Sequence, residues 1–500
     1  MVLNRQTFLR IISLLAVSLT LQACSDSSDD NTAAGPSYLP ISQPAVEDPP
    51  DAGTLSLLTT TFDLATVGYR QREFFLSGSA TAFTNLSELT DDGLWQVEPG
   101  ETAEYRTRIV VYLPDDEADF SGSVYVEWLN VTSGFEIPPS WGSGHTELLR
   151  RGHAWVGVSA QLVGIEGTPN ALAPLYLKAV NPARYDSLSH PGDSFSYDMF
   201  SQVAQALRSP VDVDLLEGLQ PQRLIAMGES QSASRLTTYV NAVHPLYNPY
   251  DGYMLHSRGG GSSSLAQTPQ VAIPTPPGIK VRTDLNVPVF NYQTETDVIG
   301  LGSIAARQDD TDKFRLWEVP GAAHADYYST ISGRQDIGVD PRFAVIVEET
   351  SIAGLVQCDD PINAGPMAWT FNAALFALDR WVSDGTEPPI GDLLDINDAQ
   401  TDYLRDEFGN VTGGIRTPYV DAPAALLSGS PNGGDGFCRL FGSTELFDAA
   451  TMASLYVDKA GYSAAVAEAT DEAVENGFIL PPDATRIKAA AGLQWDALTP

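Results

Sequence analysis

Positive charge is scarce in this chain. Its 500 residues carry 28 lysines and arginines against 64 aspartates and glutamates, a formal net charge of −36. A surface that acidic repels polyanions, which excludes nucleic acid and anionic lipid headgroups as electrostatic partners. Cysteine is scarcer still, at three. There is no Cys-x-x-Cys pair and no His-Glu-x-x-His motif, so zinc has no evident ligand set. No metal and no organic cofactor is expected. Internal repeats are also absent, which sets aside solenoids and propellers.

What is present begins at the N-terminus. Arg5 and Arg10 precede the apolar run Ile11 to Leu21, the layout of an export signal and too short to span a bilayer comfortably. The run closes on Leu21-Gln22-Ala23-Cys24, which resembles the lipobox of bacterial lipoproteins. That resemblance implies that residues 1–23 are removed and that Cys24 becomes a lipidated N-terminus. Ser25 is similar to signals for outer-membrane sorting, facing the periplasm or the cell exterior. Lipid on Cys24 would then be the sole link to the membrane. Residues 24–52 are rich in Ser, Asp, Pro and Ala, bury too little to offset their ordering entropy, and read as a flexible tether. With Cys24 assigned to lipid, Cys358 and Cys438 remain, and two cysteines in an exported chain read as one disulfide. Closing a loop of that length stabilises by about 3–5 kcal/mol on the chain-entropy model.

From residue 53 onward, short apolar runs alternate with helical segments, which predicts an α/β fold with a mostly parallel sheet and helices on both faces. Expected strands are Tyr105–Leu113, Ser123–Leu129, Ala154–Ala160, Arg223–Met227, Tyr253–Leu255, Val287–Tyr292 and Phe314–Val319. Helical patterns fall at Phe200–Leu207 and Met367–Val382, and Pro388-Pro389 then break the chain. The core is therefore read as residues 53–385 and the remainder, 386–500, as an extension tied back by Cys438. Arg258–Pro277, dense in Gly, Ser and Pro, reads either as a mobile cover over the site or as a passive surface loop.

The strand Arg223–Met227 runs into Gly228-Glu229-Ser230-Gln231-Ser232 and then into a helical stretch, Ala233–Val243. Strand, sharp turn and helix form the setting of a nucleophile elbow, whose tight turn demands small residues two positions either side of the serine. Gly228 meets that demand, and Ser232 stands where a second glycine is usual. The Gln231 amide, opening the helix, is the expected first oxyanion donor. The second should come from the loop Asn130–Gly134, with Val131 the candidate, although no His-Gly-Gly motif marks it and Asn130 also fits a plain turn.

A serine hydroxyl needs a base to take its proton and a carboxylate to orient that base, in the chain order Ser, acid, His. Of the six histidines, His145, His153 and His190 precede Ser230, His244 ends the following helix, and His256 precedes any candidate acid. His324 remains, in the loop after the last predicted strand. The acid should follow Val287–Tyr292, where Asp297 and Glu295 both stand; turn spacing favours Asp297.

The segments VEWLNV, HPGDSFSYD, MGESQSASRL, QTETDV, WEVPGAAHAD, FGNVTGGIRTPYVDAP and CRLFGSTELF together resemble the α/β-hydrolase-domain family of bacterial exported proteins. The resemblance covers most of residues 55–485. It implies an esterase-type Ser-Asp/Glu-His triad on Ser230, Asp297 or Glu295, and His324, and it places His190, Asp193 and Tyr197 in a segment that borders the pocket or packs beneath it. The expected activity is hydrolysis of a small or lipid-like ester through an acyl-enzyme. Alternatives on the same triad are a lipase, a polyester depolymerase or an amidase-peptidase. A binding lipoprotein that has lost turnover is the alternative of another class.

Overall fold

Each strand of the central sheet sends alternate side chains to opposite faces, and the two faces bury different sets. Val124, Val126 and Trp128 join one apolar cluster, while Tyr125 joins a second, and Leu224 and Ala226 are divided from Ile225 and Met227 in the same way. In the computed structural model, which describes residues 38–352 and 356–500, this pattern builds a nine-stranded sheet. The strands are β1 (Ala45–Glu47), β2 (Tyr69–Asn85), β3 (Val97–Pro114), β4 (Ser123–Trp128), β5 (Ala154–Val158), β6 (Arg223–Glu229), β7 (Gly252–His256), β8 (Val289–Thr294) and β9 (Phe314–Val319). Their spatial order is β1-β2-β3-β5-β4-β6-β7-β8-β9. The first three pairings are antiparallel; β5, β4 and β6 to β9 run parallel.

The order reverses between β4 and β6, so their outgoing connections leave on opposite faces and open a crevice at the strands' carboxyl ends. After β4 the chain enters α1 (Pro139–Arg150), which packs with α4 (Met367–Asp384) through Trp141, Leu148, Met367 and Phe371. Helices α2 (Ser196–Arg208) and α3 (Gln231–Thr238, directly after β6) cover the other face through Phe200, Val203 and Leu236. The chain from Tyr38 to Pro500 is one compact unit.

The structure bears on three readings of the sequence. Residues 38–52, read as tether, are part of the fold: β1 pairs with Phe75–Ser77, and the Leu39 N–H donates to Leu246 O at 2.7 Å. The long β2–β3 ribbon was not anticipated beyond Tyr105–Leu113, because the polar residues of β2 mask its alternation. Arg258–Pro277 is held against α2 and α3, with Leu265 buried, Ser263 N–H bonded to Ser234 O at 3.1 Å, and Tyr197 Oη donating to Ser264 O at 2.8 Å. Residues 1–37, which contain the expected export signal and Cys24, lie outside the described residues. Among those described, no helix is long and apolar enough to cross a membrane.

The late chain is stitched into the core. Trp317 Nε1 donates to Pro389 O at 2.8 Å, Leu394 N to the buried Glu318 carboxylate at 2.9 Å, and Cys358 is bonded to Cys438. A third apolar cluster joins Trp369 of α4 to Tyr419, Leu427, Met452 and two helices, α5 (Lys459–Glu475) and α6 (Pro481–Leu498).

Candidate active site

Ser230 sits between β6 and α3 with φ 58° and ψ −117°, a strained conformation for any residue but glycine. The sequence accommodates it. A Cβ on Gly228 would come 3.0 Å from the Ser232 Cβ and 3.1 Å from its backbone carbon, tighter than ordinary contact, so glycine suits the close approach of strand and helix, and Ser232 is fully buried. The turn lifts the Ser230 hydroxyl clear of the strand, and its N–H is fixed by His256 O at 2.9 Å.

His324, in the loop after β9, places Nε2 2.8 Å from Ser230 Oγ and Nδ1 2.6 Å from Asp297 Oδ1. The other oxygen, Asp297 Oδ2, accepts the Thr294 N–H at 2.7 Å and the Thr294 hydroxyl at 2.8 Å, which locks the carboxylate toward the ring. Glu295 turns away. Its oxygens accept the Gly321 N–H at 2.6 Å and the Gly429 N–H at 2.7 Å, tying the β8 and β9 loops to the late chain. Between the two acids left open by the sequence, geometry selects Asp297. Burial pushes the Glu295 carboxyl up to about 7, against the pull of those two amides.

Of the two expected oxyanion donors, Gln231 adjoins the elbow in sequence. The Gln231 N–H opens α3, among the first-turn amides that have no partner within the helix. Val131 lies in the loop after β4, whose turn is closed by the Gly134 N–H on Val131 O at 2.9 Å. Asn130 is more than a turn residue. It pairs with Ile137 in both directions, and its side-chain amide donates to Glu229 O at 3.1 Å and Glu229 Oε2 at 3.0 Å, clamping the loop to the elbow.

Glu229 itself escaped the sequence reading. Its Oε1 is 3.1 Å from His324 Nε2. Burial pushes this carboxyl up to about 7, with the His324 charge pulling it down and the Asp297 charge adding to the rise. Burial works against charge on His324 as well, but the Glu229 and Asp297 carboxylates outweigh it and lift the imidazole to about 9. An acid in the variable position of the elbow, at the end of an otherwise apolar strand, was the available signal.

A cavity of about 560 Å³ opens over Ser230, Glu229 and His324. Its walls are largely apolar: Phe135, Ile137 and Trp141 beside α1, Ile352 and Val356 before the disulfide, and Phe437 and Phe441 beyond it. His145 and His256 also line it. His145 is committed at both ring nitrogens to backbone oxygens, Trp141 O at 3.1 Å and Asp336 O at 2.8 Å. His256 stacks on Phe371 at 4.0 Å, and burial holds it down to about 3, so it stays neutral. His190, Asp193 and Tyr197 lie outside the cavity: His190 Nε2 meets Ala160 O at 3.0 Å, and Asp193 pairs with Arg235 at 2.9 Å beside Tyr197. Theirs is a packing role.

A mostly parallel sheet, a serine on a strained strand-to-helix turn, and a histidine and carboxylate from the next loops define an α/β hydrolase. The model of the alpha/beta hydrolase domain family matches residues 41–489, and the chain belongs to that family. Among solved structures, it is similar to a glucuronoyl esterase from Solibacter usitatus at 10% identity, covering 56% of this chain and 82% of that one, with a TM-score of 0.27. It is similar to acetyl xylan esterase 1 of a Thermoanaerobacterium species at 11% identity, covering 57% and 84%, TM-score 0.30. A lidless α/β serine hydrolase from Xanthomonas campestris matches at 12% identity over 51% and 90%, TM-score 0.27. No match is found among curated proteins.

Proposed function

We propose that the chain is a carboxylic-ester hydrolase working through an acyl-enzyme on Ser230. The observation that carries this reading is the unbroken chain Ser230–His324–Asp297, with links of 2.8 and 2.6 Å, opening into an apolar cavity. His324 Nε2 takes the Ser230 proton as Oγ bonds to the ester carbonyl carbon, and the oxyanion settles toward the Gln231 and Val131 amides. Asp297 holds the tautomer that leaves Nε2 free. The proton then passes from Nε2 to the departing alcohol, and water repeats the cycle on the acyl-serine.

The largely apolar walls favour esters with an apolar acyl or alcohol group. A mature protein exported and held by lipid on Cys24 fits the N-terminal pattern, and a disulfide fits an oxidising compartment. A panel of p-nitrophenyl esters from acetate to decanoate tests the reading. Turnover of several members, abolished in Ser230→Ala, is expected. Turnover of anilides but of no ester would shift it to an amidase.

A further inference from the structure

We infer that Glu229 is a second carboxylate on the imidazole of His324, a positioning residue that competes with Ser230 for the Nε2 proton and sets the acid limit of the reaction. This rests on the ester-hydrolase reading of the site. Ile225 and Met227 show that odd-numbered residues of β6 point toward α1 and α4, and Glu229 continues that face at the strand's end. Its carboxyl thus arrives beside Nε2 of the ring rather than in solvent, 5% exposed. Oε2 is committed to the Asn130 amide, whereas Oε1 faces His324 Nε2 at 3.1 Å, beside the 2.8 Å contact from Ser230 Oγ to the same atom.

One nitrogen therefore has two oxygen claimants. When Nε2 carries a proton, the Glu229 carboxylate is its charge-assisted acceptor, and the serine hydroxyl has no base. When that proton leaves, neither Nε2 nor Oε1 has a hydrogen, so the Ser230 O–H becomes the donor and is activated. During attack the Oγ–H bond breaks and Nε2–H forms, leaving an imidazolium between Asp297 at Nδ1 and Glu229 at Nε2. The same carboxylate that quenches the site at low pH stabilises the cation made in the reaction.

The surrounding groups agree. Asp297 from the β8 loop adds negative charge, Asn130 supplies the neutral donor, and His256 on β7 stays uncharged. Glu127 on β4 is pushed up to about 8 by burial despite accepting the Ser140, Trp141 and Trp155 N–H groups, with the Glu229 charge adding to the rise. Arg439, from the late chain, opposes charge on His324 but ranks below both carboxylates. With His324 raised to about 9 and Glu229 to about 7, the pair retains a proton through neutral pH. Activity is lost as pH falls through this range and gained as it rises.

The test measures the rate of Ser230 inactivation by a fluorophosphonate across pH, alongside an NMR titration of the His324 ring assigned with His324→Gln. Glu229→Gln should move both the acid limb and the His324 titration to lower pH by about one unit or more, the size expected of a neighbouring charge. It should also lower the alkaline plateau. A limb and a titration that stay put in the folded variant overturn the inference, since a purely structural role would lower the rate evenly. Titration of wild-type His324 near the ordinary value of about 6.5 overturns it without any variant. If the wild type does not react at all, the hydrolase reading fails, and the ring titration alone decides whether Glu229 holds the proton.

Discussion

The loops that carry the chemistry and the walls that surround it are built in opposite ways. Ser230, Asp297 and His324 each follow immediately on one parallel strand, β6, β8 and β9, within a few residues of its end. The walls are assembled from distant segments. Thr59–Thr61 is stitched to Arg334, with the Thr61 N–H on Arg334 O at 2.7 Å and Arg334 Nε on Thr59 O at 2.8 Å. Ile352 and Val356 meet Phe437 and Phe441 across a disulfide with a sequence separation of 80. On the proposed reading, catalytic geometry is local to the ends of the sheet's strands, and selectivity falls to long-range contacts. Substitutions in the first region should therefore abolish turnover at constant stability, and those in the second should redistribute substrates or soften the fold.

The largest effect belongs to the triad. Ser230→Ala or His324→Ala should lower kcat by about 10³-fold or more, with unchanged circular dichroism; near-normal turnover in either would break the contrast outright. Asp297→Asn should follow at about 10²-fold or more. Glu295→Gln, two residues away, should leave kcat within a few-fold and lower stability by about 1–3 kcal/mol in urea unfolding, because its lost acceptor strands a buried amide. Equal kcat losses in both would mean that the acid has been misassigned.

On the wall side, replacing Cys358 and Cys438 together by serine should cost about 3–5 kcal/mol on the chain-entropy model and broaden acyl-chain preference while Ser230 remains reactive. Loss of Ser230 reactivity in the folded double variant would show that the walls also shape the catalytic loops. The smallest effect expected is Phe441→Ala, which should change the ratio of kcat/KM between long and short acyl esters by about 10-fold with kcat for the shortest ester preserved. A uniform loss across chain lengths would remove Phe441 from the acyl-binding wall.

What could be read from the sequence follows the same division. The elbow was legible because its constraints act between residues four apart: an apolar strand, Gly228, Ser230, Ser232 and a helix. His324 was reachable by elimination and strand order. Turn spacing alone favoured Asp297 over Glu295, because the contacts that turn Glu295 away from His324 are long-range: the Gly321 amide in the β9 loop and the Gly429 amide, 134 residues from Glu295 and supplied by the late chain. Glu229 was hidden in a position that motifs treat as variable. Its role exists only once β6, β9 and the Asn130 loop converge. Residues 38–52 looked like a tether because β1 is three residues long and only the edge of β2 makes it a strand. The cavity walls left no local signature at all.

The central claim is that Ser230 is an activated nucleophile, and covalent labelling tests it most directly. Purified wild-type protein treated with a fluorophosphonate should gain a single adduct that mass spectrometry locates on Ser230, and Ser230→Ala should gain none. A folded wild-type protein that stays unlabelled across the neutral-to-alkaline range, or an adduct that persists in Ser230→Ala, would contradict the account.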